Sequence, residues 1–300
     1  MTAFRSSGDL SADRRYLWGE ASMAQGDFVA AADLFAQAVE LAPGWASGWF
    51  ALGEARARAG SAEAAGEAFR RCLALEPEDI LGAGLRLARI AGAAVAMPAA
   101  YVAGLFDDYA DRFDAHLTGA LGYRGPEVIL AALDRLAPGR RYAAALDLGC
   151  GTGLMAAALA GRAGAVDGVD LSAAMVREAA ARGIYRRLAV ADVVAFLADA
   201  PDTAYDLALA ADVLVYLGDL DPLFAGLTRA LTPGGLFAFT VQGLDEPGFG
   251  LGDDLRYAHS ESYLRQAAER AGLAVRCLEA ASTRRDAGRD VPGYVAVLRR

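Results

Sequence analysis

The residues from 146 to 153 read Leu-Asp-Leu-Gly-Cys-Gly-Thr-Gly and combine one carboxylate with three closely spaced glycines. They follow an apolar stretch that reads as the start of a buried strand. They precede an alanine-rich stretch that favours helix. Glycines let the main chain approach a ligand without a Cβ in the way, and the N-terminus of a helix adds partial positive charge. This stretch therefore predicts a ligand-binding turn between a strand and a helix.

The spacing of the glycines narrows the kind of ligand. Gly149, Gly151 and Gly153 give G-x-G-x-G, whereas the dinucleotide fingerprint is G-x-G-x-x-G. The sequence also lacks the motif G-x-x-x-x-G-K-[ST], which excludes a P-loop nucleoside triphosphatase. Asp147 stands two positions before the first glycine. The pattern suits a ligand with an amino-acid tail and a ribose better than one with a pyrophosphate.

Two further acids follow predicted strands. Asp170 ends a strand at about 165–169 and lies 23 residues after Asp147, where a carboxylate can accept both ribose hydroxyls. Asp192 ends a third strand at about 185–191. A fourth strand at 205–210 leads into a loop that contains Asp212. Ligands of open α/β sheets bind at this carboxyl edge of the strands.

The strand-turn-helix with D-x-G-x-G-x-G resembles motif I of the class I S-adenosylmethionine-dependent methyltransferases. The resemblance covers residues 99–300 and implies an α/β fold with a Rossmann-like seven-stranded sheet. It implies S-adenosyl-L-methionine as cofactor and S-adenosyl-L-homocysteine as product. Asp147 would reach the methionyl ammonium, and Asp192 the adenine amino group. The expected cofactor-binding residues are Tyr109, Asp147, Gly149, Cys150, Gly151, Thr152, Gly153, Asp170, Leu171, Met175, Asp192, Val193 and Ala210.

Helices predicted at about 99–137 precede the glycine turn. Aromatic residues at helical spacing, including Tyr109, lie here among four acidic residues. The pattern resembles the N-terminal cover helices of small-molecule methyltransferases, which fold over the cofactor. Arg124, in the break between these helices, is a candidate anchor for an anionic substrate. Tyr123 and Tyr216 are the other candidate substrate residues.

A general base is needed only when the acceptor must lose a proton. His259 is one candidate, because the long segment 243–259 reads as a lid or substrate loop beside the active site. Asp212 is the other candidate, and it could instead orient the acceptor or contact the cofactor. A surface position for His259 is an equally strong interpretation. Alignment of acceptor and methyl group supplies much of the acceleration in either case.

The first quarter of the chain repeats with a period of 34 residues. Gly19 aligns with Gly53 and Phe35 with Phe69. The pattern resembles the tetratricopeptide repeat and predicts an all-α domain over 1–95, with repeats at about 12–45 and 46–79 and a capping helix at about 79–91. Its concave face would carry Tyr16, Glu20, Met23, Phe50 and Glu54. Peptide capture and a docking or dimerising role are both open. With these repeats, the whole chain resembles a bacterial group of predicted methyltransferases.

The composition of the chain argues against several functions. The net charge is −9 and no basic tract stands out, which disfavours nucleic-acid binding. All 29 basic residues are arginine, so no lysine is available as a base. Three scattered cysteines and two histidines give no metal site and no reason to expect a disulfide. No apolar run suits a membrane span or a signal peptide, which favours a cytoplasmic location.

Three functions are consistent with these patterns. The leading hypothesis is an enzyme that methylates an oxygen or nitrogen of a small molecule, because cover helices and a long loop imply an enclosed pocket. The second is a protein methyltransferase that recruits its target through the repeats. The third is an interaction module that binds the cofactor without turnover.

Overall fold

The protein divides into two compact units, residues 1–101 and 102–300, in a computed structural model. The model describes residues 5–107, 109–120, 122–286 and 288–300. Each unit has its own buried apolar residues. Among the described residues, no helix has the length and apolarity needed to cross a bilayer.

In the described part of the first unit, all regular secondary structure is α-helix. Its helices are α1 (Leu10–Ala24), α2 (Phe28–Leu41), α3 (Ala46–Arg58), α4 (Ala62–Leu75) and α5 (Ala83–Ala91). A Cβ on Gly19 would lie 2.6 Å from the Phe35 ring, and one on Gly53 would lie 2.5 Å from the Phe69 ring. The same glycine–phenylalanine contact therefore joins α1 to α2 and, 34 residues later, α3 to α4. Glycine is required at both crossings because a side chain would collide with the ring.

The second unit begins with short helices. They are α6 (Ala99–Asp107), which continues from the first unit, α7 (Ala110–Ala115) and α8 (Gly125–Leu136). A π-helical turn, His116–Ala120, extends α7. The aromatic segment before the break at Arg124 therefore contains two helices, α6, which ends at Asp107, and α7, which begins at Ala110. The remaining helices are α9 (Leu154–Ala158), α10 (Ala173–Ala181), α11 (Val193–Asp199), α12 (Asp221–Ala230) and α13 (Glu261–Arg270).

A mixed sheet forms the centre of the second unit. Its strands are β1 (Tyr142–Leu148), β2 (Ala163–Asp170), β3 (Arg187–Val190), β4 (Tyr205–Ala210), β5 (Leu231–Gly243), β6 (Phe249–Leu251), β7 (Tyr257–His259), β8 (Ala274–Ala281) and β11 (Gly293–Arg299). Seven run in the order β3-β2-β1-β4-β5-β11-β8. β1 to β5 are parallel, and β11 is antiparallel to both of its neighbours. A separate ribbon joins β9 (Arg285–Asp286) to β10 (Arg289–Asp290). This is the predicted α/β fold.

The segment 243–259 differs from its prediction. It is a β-hairpin, not an irregular lid: β6 pairs with β7, and β7 runs parallel to the end of β5 through Gln242 and Gly243. β4 pairs with β5 only as far as Phe239, so β7 occupies the β5 edge beyond the end of β4. Phe249 and Tyr257 anchor the hairpin by ring contact, with centroids 6.0 Å apart.

Apolar residues cover both faces of the sheet. One cluster packs α11, α12 and α13 against β4 and β5, and its largest fully buried side chains include Phe224, Phe237 and Phe239. The other packs α8 and α9 against the opposite face, around Ile129 and Leu133. Burial on both faces explains why β4 and the middle of β5 are nearly continuous apolar runs. The parallel strands thus end at one edge, where the acids and glycines lie.

Candidate functional site

The glycine turn joins β1 to α9 in a left-handed backbone conformation. Gly149, Gly151 and Gly153 have φ values of +63°, +52° and +93°, which side chains disfavour. A Cβ on Gly149 would lie 2.4 Å from Val213, so this position has no room for another residue. At Gly151 the nearest atom would be on the Phe113 ring, 3.8 Å away. The turn therefore keeps its backbone bare beneath an aromatic ring of α7.

Asp170 holds this turn from the end of β2. One carboxylate oxygen accepts from the Gly151 amide at 2.8 Å, and the other accepts from the Ser172 amide at 2.9 Å. Burial raises the pKa of Asp170, and these backbone donors oppose the rise. The position agrees with the predicted strand end. Its carboxylate joins the glycine turn to the loop before α10.

Asp147 lies behind the turn and is only 1% exposed. Its carboxylate accepts from the Tyr185 hydroxyl at 2.7 Å. Burial raises its pKa to about 7; the Tyr185 hydrogen bond opposes the rise, and the negative charge of Asp170 adds to it. No arginine or histidine of the described residues forms an ion pair with Asp147. The two buried carboxylates therefore fit a ligand that brings a cationic ammonium group.

The cover helices are attached to the turn through two acids. Asp107, at the end of α6, accepts from the Ser172 hydroxyl at 2.5 Å and from the Ala174 amide at 3.1 Å. Asp114, on α7, accepts from the Thr152 hydroxyl and pairs with Arg182. Both contacts reach loops that carry predicted cofactor residues.

Apolar contacts support the same attachment. Phe106 and Phe113 pack with Met175, which is fully buried beneath the cover helices. The two rings are 5.9 Å apart in an edge-on arrangement, and Phe106 also meets the Tyr216 ring at 5.5 Å. Aromatic side chains therefore run from the glycine turn to the loop after β4.

The other predicted cofactor residues lie at the same edge in different settings. Cys150 is buried, and its amide donates to the Val169 carbonyl. Asp192 caps α11 by accepting from two backbone amides at 2.9 Å. Tyr109 bonds through its hydroxyl to His116. Leu171 is half-buried in the loop after β2, whereas Val193 and Ala210 are buried.

A second polar cluster lies beyond the end of β4. Asp212 has a left-handed φ of +56°. Its carboxylate accepts from the Thr283 hydroxyl at 2.8 Å and from the Thr240 hydroxyl at 3.0 Å. The guanidinium of Arg284 lies 3.4 Å from it. The backbone strain at a non-glycine residue is thus offset by several hydrogen bonds.

The predicted substrate residues border this cluster. Burial raises the pKa of Tyr123 well above its usual value; the negative charges of Asp212 and Asp147 add to the rise, and Arg284 opposes it. Burial also raises the pKa of Tyr216, whose hydroxyl accepts a hydrogen bond from Arg256. Tyr123 therefore lies within electrostatic reach of both the glycine turn and the second cluster.

Arg124 is placed differently from its prediction. Its side chain is exposed, its guanidinium donates to the Ser282 carbonyl at 3.3 Å, and its amide donates to the Thr283 carbonyl at 2.7 Å. Arg124 thus holds the 282–284 segment in place, and the buried cation of the site is Arg284. The sequence signal for Arg284 is weak, because its partner Asp212 is 72 residues away.

His259 is buried, which contradicts its interpretation as a surface residue. It is 0% exposed on β7, stacks on the Tyr263 ring at 5.7 Å and bonds through Nε2 to the Gly218 carbonyl at 3.0 Å. Burial lowers its pKa to about 4, although backbone hydrogen bonds oppose the shift. The enclosed imidazole is thus weakly basic, and its Nδ1 has no hydrogen-bond partner among the described residues. Among the described residues, no cluster of histidine, cysteine or acidic side chains suits a metal ion.

The fold and site define a class. A Rossmann-like sheet with a glycine turn, an acid at each of the first two strand ends and helices attached over the turn is the arrangement of a methyltransferase domain. Residues 146–237 match a family model described as a methyltransferase domain.

Individual relatives agree with this class. A malonyl-[acyl-carrier protein] O-methyltransferase of Salmonella typhimurium is 32% identical over 140 residues, which cover 47% of this chain and 53% of that protein. A trans-aconitate 2-methyltransferase of Deinococcus radiodurans is 38% identical over 112 residues, covering 36% of this chain and 42% of that protein. The chain thus spans about half the length of the curated relatives it matches.

A solved structure shares the fold over most of its length. The 1,6-didemethyltoxoflavin-N1-methyltransferase of Burkholderia thailandensis, bound to S-adenosylhomocysteine, superposes with a TM-score of 0.53 at 20% identity. The match covers 69% of this chain and 92% of that one. Residues 146–237 therefore match a methyltransferase domain by sequence, and the second unit shares its fold with this S-adenosylhomocysteine-bound methyltransferase.

Proposed function

We propose that this protein transfers a methyl group from S-adenosylmethionine to an oxygen or nitrogen of a small molecule. The observation that carries the proposal is the pair of buried carboxylates, Asp147 and Asp170, at adjacent strand ends beside a bare glycine turn. Asp147 is suited to the methionyl ammonium, and Asp170 is suited to the ribose hydroxyls. Bound cofactor supplies a methyl group already activated by its sulfonium, so the protein mainly has to align the acceptor.

Two features support a small acceptor over a macromolecule. The cover helices are attached by Asp107 and Asp114 to the loops around the turn, which restricts access to it. Both curated relatives described above are named for acceptors that carry carboxylates, a malonyl group and trans-aconitate. The cluster around Asp212 and Arg284 is the proposed acceptor side of the site, with Tyr123 between it and the cofactor side.

We also infer that the first unit is a pair of tetratricopeptide repeats with a capping helix. The support is the repeated glycine–phenylalanine contact, in which Gly19 meets Phe35 and Gly53 meets Phe69. This repeat favours a second candidate function, methylation of a protein that the repeats recruit. On the proposed concave face, Glu54 is already paired with Arg86, whose guanidinium also covers the Phe50 ring.

One labelling experiment separates these functions. Full-length protein is incubated with methyl-tritiated S-adenosylmethionine and a bacterial lysate, and the products are divided into protein and small molecules. We expect the label in small molecules. Label in protein alone would favour recruitment by the repeats. An absence of transfer, with cofactor binding retained, would favour a module without turnover.

A further inference from the structure

Arg284 is a buried cation that is only loosely paired. It is 8% exposed, and its guanidinium lies 3.4 Å from Asp212 and 3.3 Å from the side-chain oxygen of Gln242. Charge-assisted hydrogen bonds of arginine are commonly about 2.7–2.9 Å long. A guanidinium also has five N–H donors in a planar fork, more than these two contacts use. Arg284 therefore retains capacity for a further anionic partner.

Asp212 does not depend on Arg284 for its hydrogen bonds. The Thr283 hydroxyl lies 2.8 Å from each of its two carboxylate oxygens, and the Thr240 hydroxyl lies 3.0 Å from one of them. The carboxylate thus stays hydrogen-bonded if the guanidinium turns toward a ligand. This separates the pair from an ordinary structural salt bridge, in which each charge needs the other.

A second arginine, Arg256, acts on the same group of residues. Arg256 donates to the Tyr216 hydroxyl, and Arg284 and Asp212 both act electrostatically on the same hydroxyl. The two arginines therefore lower the pKa of this phenol, whereas Asp212 raises it. Asp254 lies nearby but is exposed, and it contacts the Gln242 amide at 3.4 Å.

This cluster adjoins the cofactor side of the site. Val213, the residue after Asp212, packs against the glycine turn, where its side chain would lie 2.4 Å from a Cβ on Gly149. The Phe106 ring, which packs beside the glycine turn with Phe113, also meets Tyr216. An anion bound by Arg284 would therefore lie next to the bound cofactor.

The two candidate bases, His259 and Asp212, are already engaged by contacts within the protein. His259 is enclosed in the hairpin, and Asp212 is held by hydroxyl donors and a guanidinium. His116 is exposed, and it bonds to the Tyr109 hydroxyl on the cover helices. An acceptor that arrives already ionised needs no base.

We propose that Arg284 binds a carboxylate of the methyl acceptor, so that the acceptor is a small organic acid and the product its methyl ester. The inference rests on the methyl transfer proposed above and specifies its acceptor. Arg284 donates to one oxygen of the carboxylate, which leaves the second oxygen free to react.

The reaction balances without a base. The free carboxylate oxygen supplies the electron pair of the new bond to the methyl carbon. The bond between that carbon and sulfur breaks, and its electron pair stays on sulfur. The sulfonium becomes the neutral thioether of S-adenosylhomocysteine, the carboxylate becomes a neutral ester, and no proton is transferred.

The test uses the alkali lability of esters. Full-length protein is incubated with methyl-tritiated S-adenosylmethionine and either a protein-free bacterial extract or a panel of acids. The panel contains malonate, succinate and trans-aconitate, each with its amide as the matched neutral probe. The products are treated with mild alkali, and volatile tritiated methanol is collected. We expect label in small molecules to be released as methanol, and acids but not amides to compete for methylation.

Variants of two adjacent arginines test the binding residue. Arg284→Gln should raise the half-saturating acceptor concentration about 30-fold or more, because it removes a buried charged donor. Arg284→Lys should fall between this variant and the wild type. Arg285→Gln is the matched control and should leave the value unchanged, because Arg285 is exposed and pairs with Asp290. S-adenosylhomocysteine binding should be the same in all three variants.

The outcomes separate this inference from the function it rests on. Small-molecule label that resists alkali, or an Arg284→Gln variant with unchanged acceptor saturation, would overturn the inference and leave methyl transfer standing. A lack of any small-molecule label would overturn the proposed function itself. If Arg284→Gln fails to fold, alkali release and the acid–amide comparison on the wild-type protein still decide the question.

Discussion

Asp147 and Asp170 place two buried carboxylates behind one glycine turn, and a bound ammonium would compensate their charge. Burial raises the pKa of Asp147 to about 7 from an ordinary 3.8. A cation that binds beside it favours the ionised form, so binding should release a proton below this pKa. At residue scale, the cofactor site is therefore expected to depend on pH.

We predict that affinity for S-adenosylhomocysteine rises about tenfold between pH 6 and pH 8, as expected for one proton with a pKa near 7. Calorimetric titration at several pH values measures this. Asp147→Asn should bind weakly with little dependence on pH; an equal dependence in this variant would contradict the assignment. Without ligand, the same shift should lower the free energy of unfolding as the pH rises through about 7, because the unfolded carboxyl is already ionised there.

His259 should affect stability and not the chemical step. Its pKa is lowered from 6.5 to about 4 by burial, so the folded protein keeps the imidazole neutral while the unfolded chain takes up a proton. Between pH 7 and pH 5 this should lower the free energy of unfolding by about 2 kcal/mol. The carboxyl of Asp147 acts in the opposite direction over this range. Because the two effects oppose each other, the contribution of His259 is measured as the difference in free energy of unfolding between the wild type and His259→Gln.

Denaturant unfolding at the two pH values makes this comparison. His259→Gln should lose part of the acid-induced decrease in stability. At pH 8, the folded fraction of this variant should retain methyl transfer. Complete loss of transfer in a folded, cofactor-binding variant would restore His259 as a catalytic candidate.

At residue scale, the sequence predicts the cofactor side of the site better than the proposed acceptor side. Asp147, the three glycines and Asp170 belong to a local strand-turn-helix pattern and lie where that pattern predicts. Arg284 and Thr283 reach Asp212 only because β11 lies between β5 and β8, a pairing that no local signal reveals. In the sequence, Arg124 is the candidate anchor for an anionic substrate because it lies in the break between two predicted helices. In the structure its side chain is exposed to solvent.

At element scale, the cover helices should couple to cofactor binding through Asp114. This side chain joins α7 to Thr152 in the glycine turn and to Arg182 after α10. Asp114→Ala should weaken S-adenosylhomocysteine binding about fivefold and speed hydrogen exchange in α7. Its effect on the free energy of unfolding should stay below about 1 kcal/mol, because the ion pair is partly exposed.

Asp134→Ala is the matched control. Asp134 lies on α8 and forms a similarly exposed ion pair with Arg162. It should leave affinity and exchange in α7 unchanged. If both variants weaken binding equally, the effect is general and the cover helices are not coupled to the turn through Asp114.

Element boundaries show the limits of periodicity. The strands that carry the acids lie close to their predicted positions. The hairpin of β6 and β7 was missed, because Gly and Asp residues between 243 and 254 indicate a loop. Pairing of β7 with the end of β5 is a tertiary contact that overrides this local preference.

At the scale of the whole molecule, the two units have separate cores. The sheet of the second unit is covered by apolar clusters drawn from residues after 127. A chain of residues 97–300 should therefore fold, bind S-adenosylhomocysteine with an affinity within about threefold of the full-length value, and methylate small molecules. Thermal melting and calorimetry test this. Loss of cofactor binding would show that the first unit is needed for the site.

The central claim is that the carboxyl edge around the glycine turn binds the methyl donor. Calorimetric titration of S-adenosylhomocysteine into the full-length protein tests it most directly. We predict one molecule bound per chain. Binding should be abolished by Asp170→Ala, which removes the carboxylate that holds Gly151 and Ser172, and retained by Asp202→Ala at an exposed ion pair with Arg229. No binding to the wild-type protein, or unchanged binding to Asp170→Ala, would contradict the account.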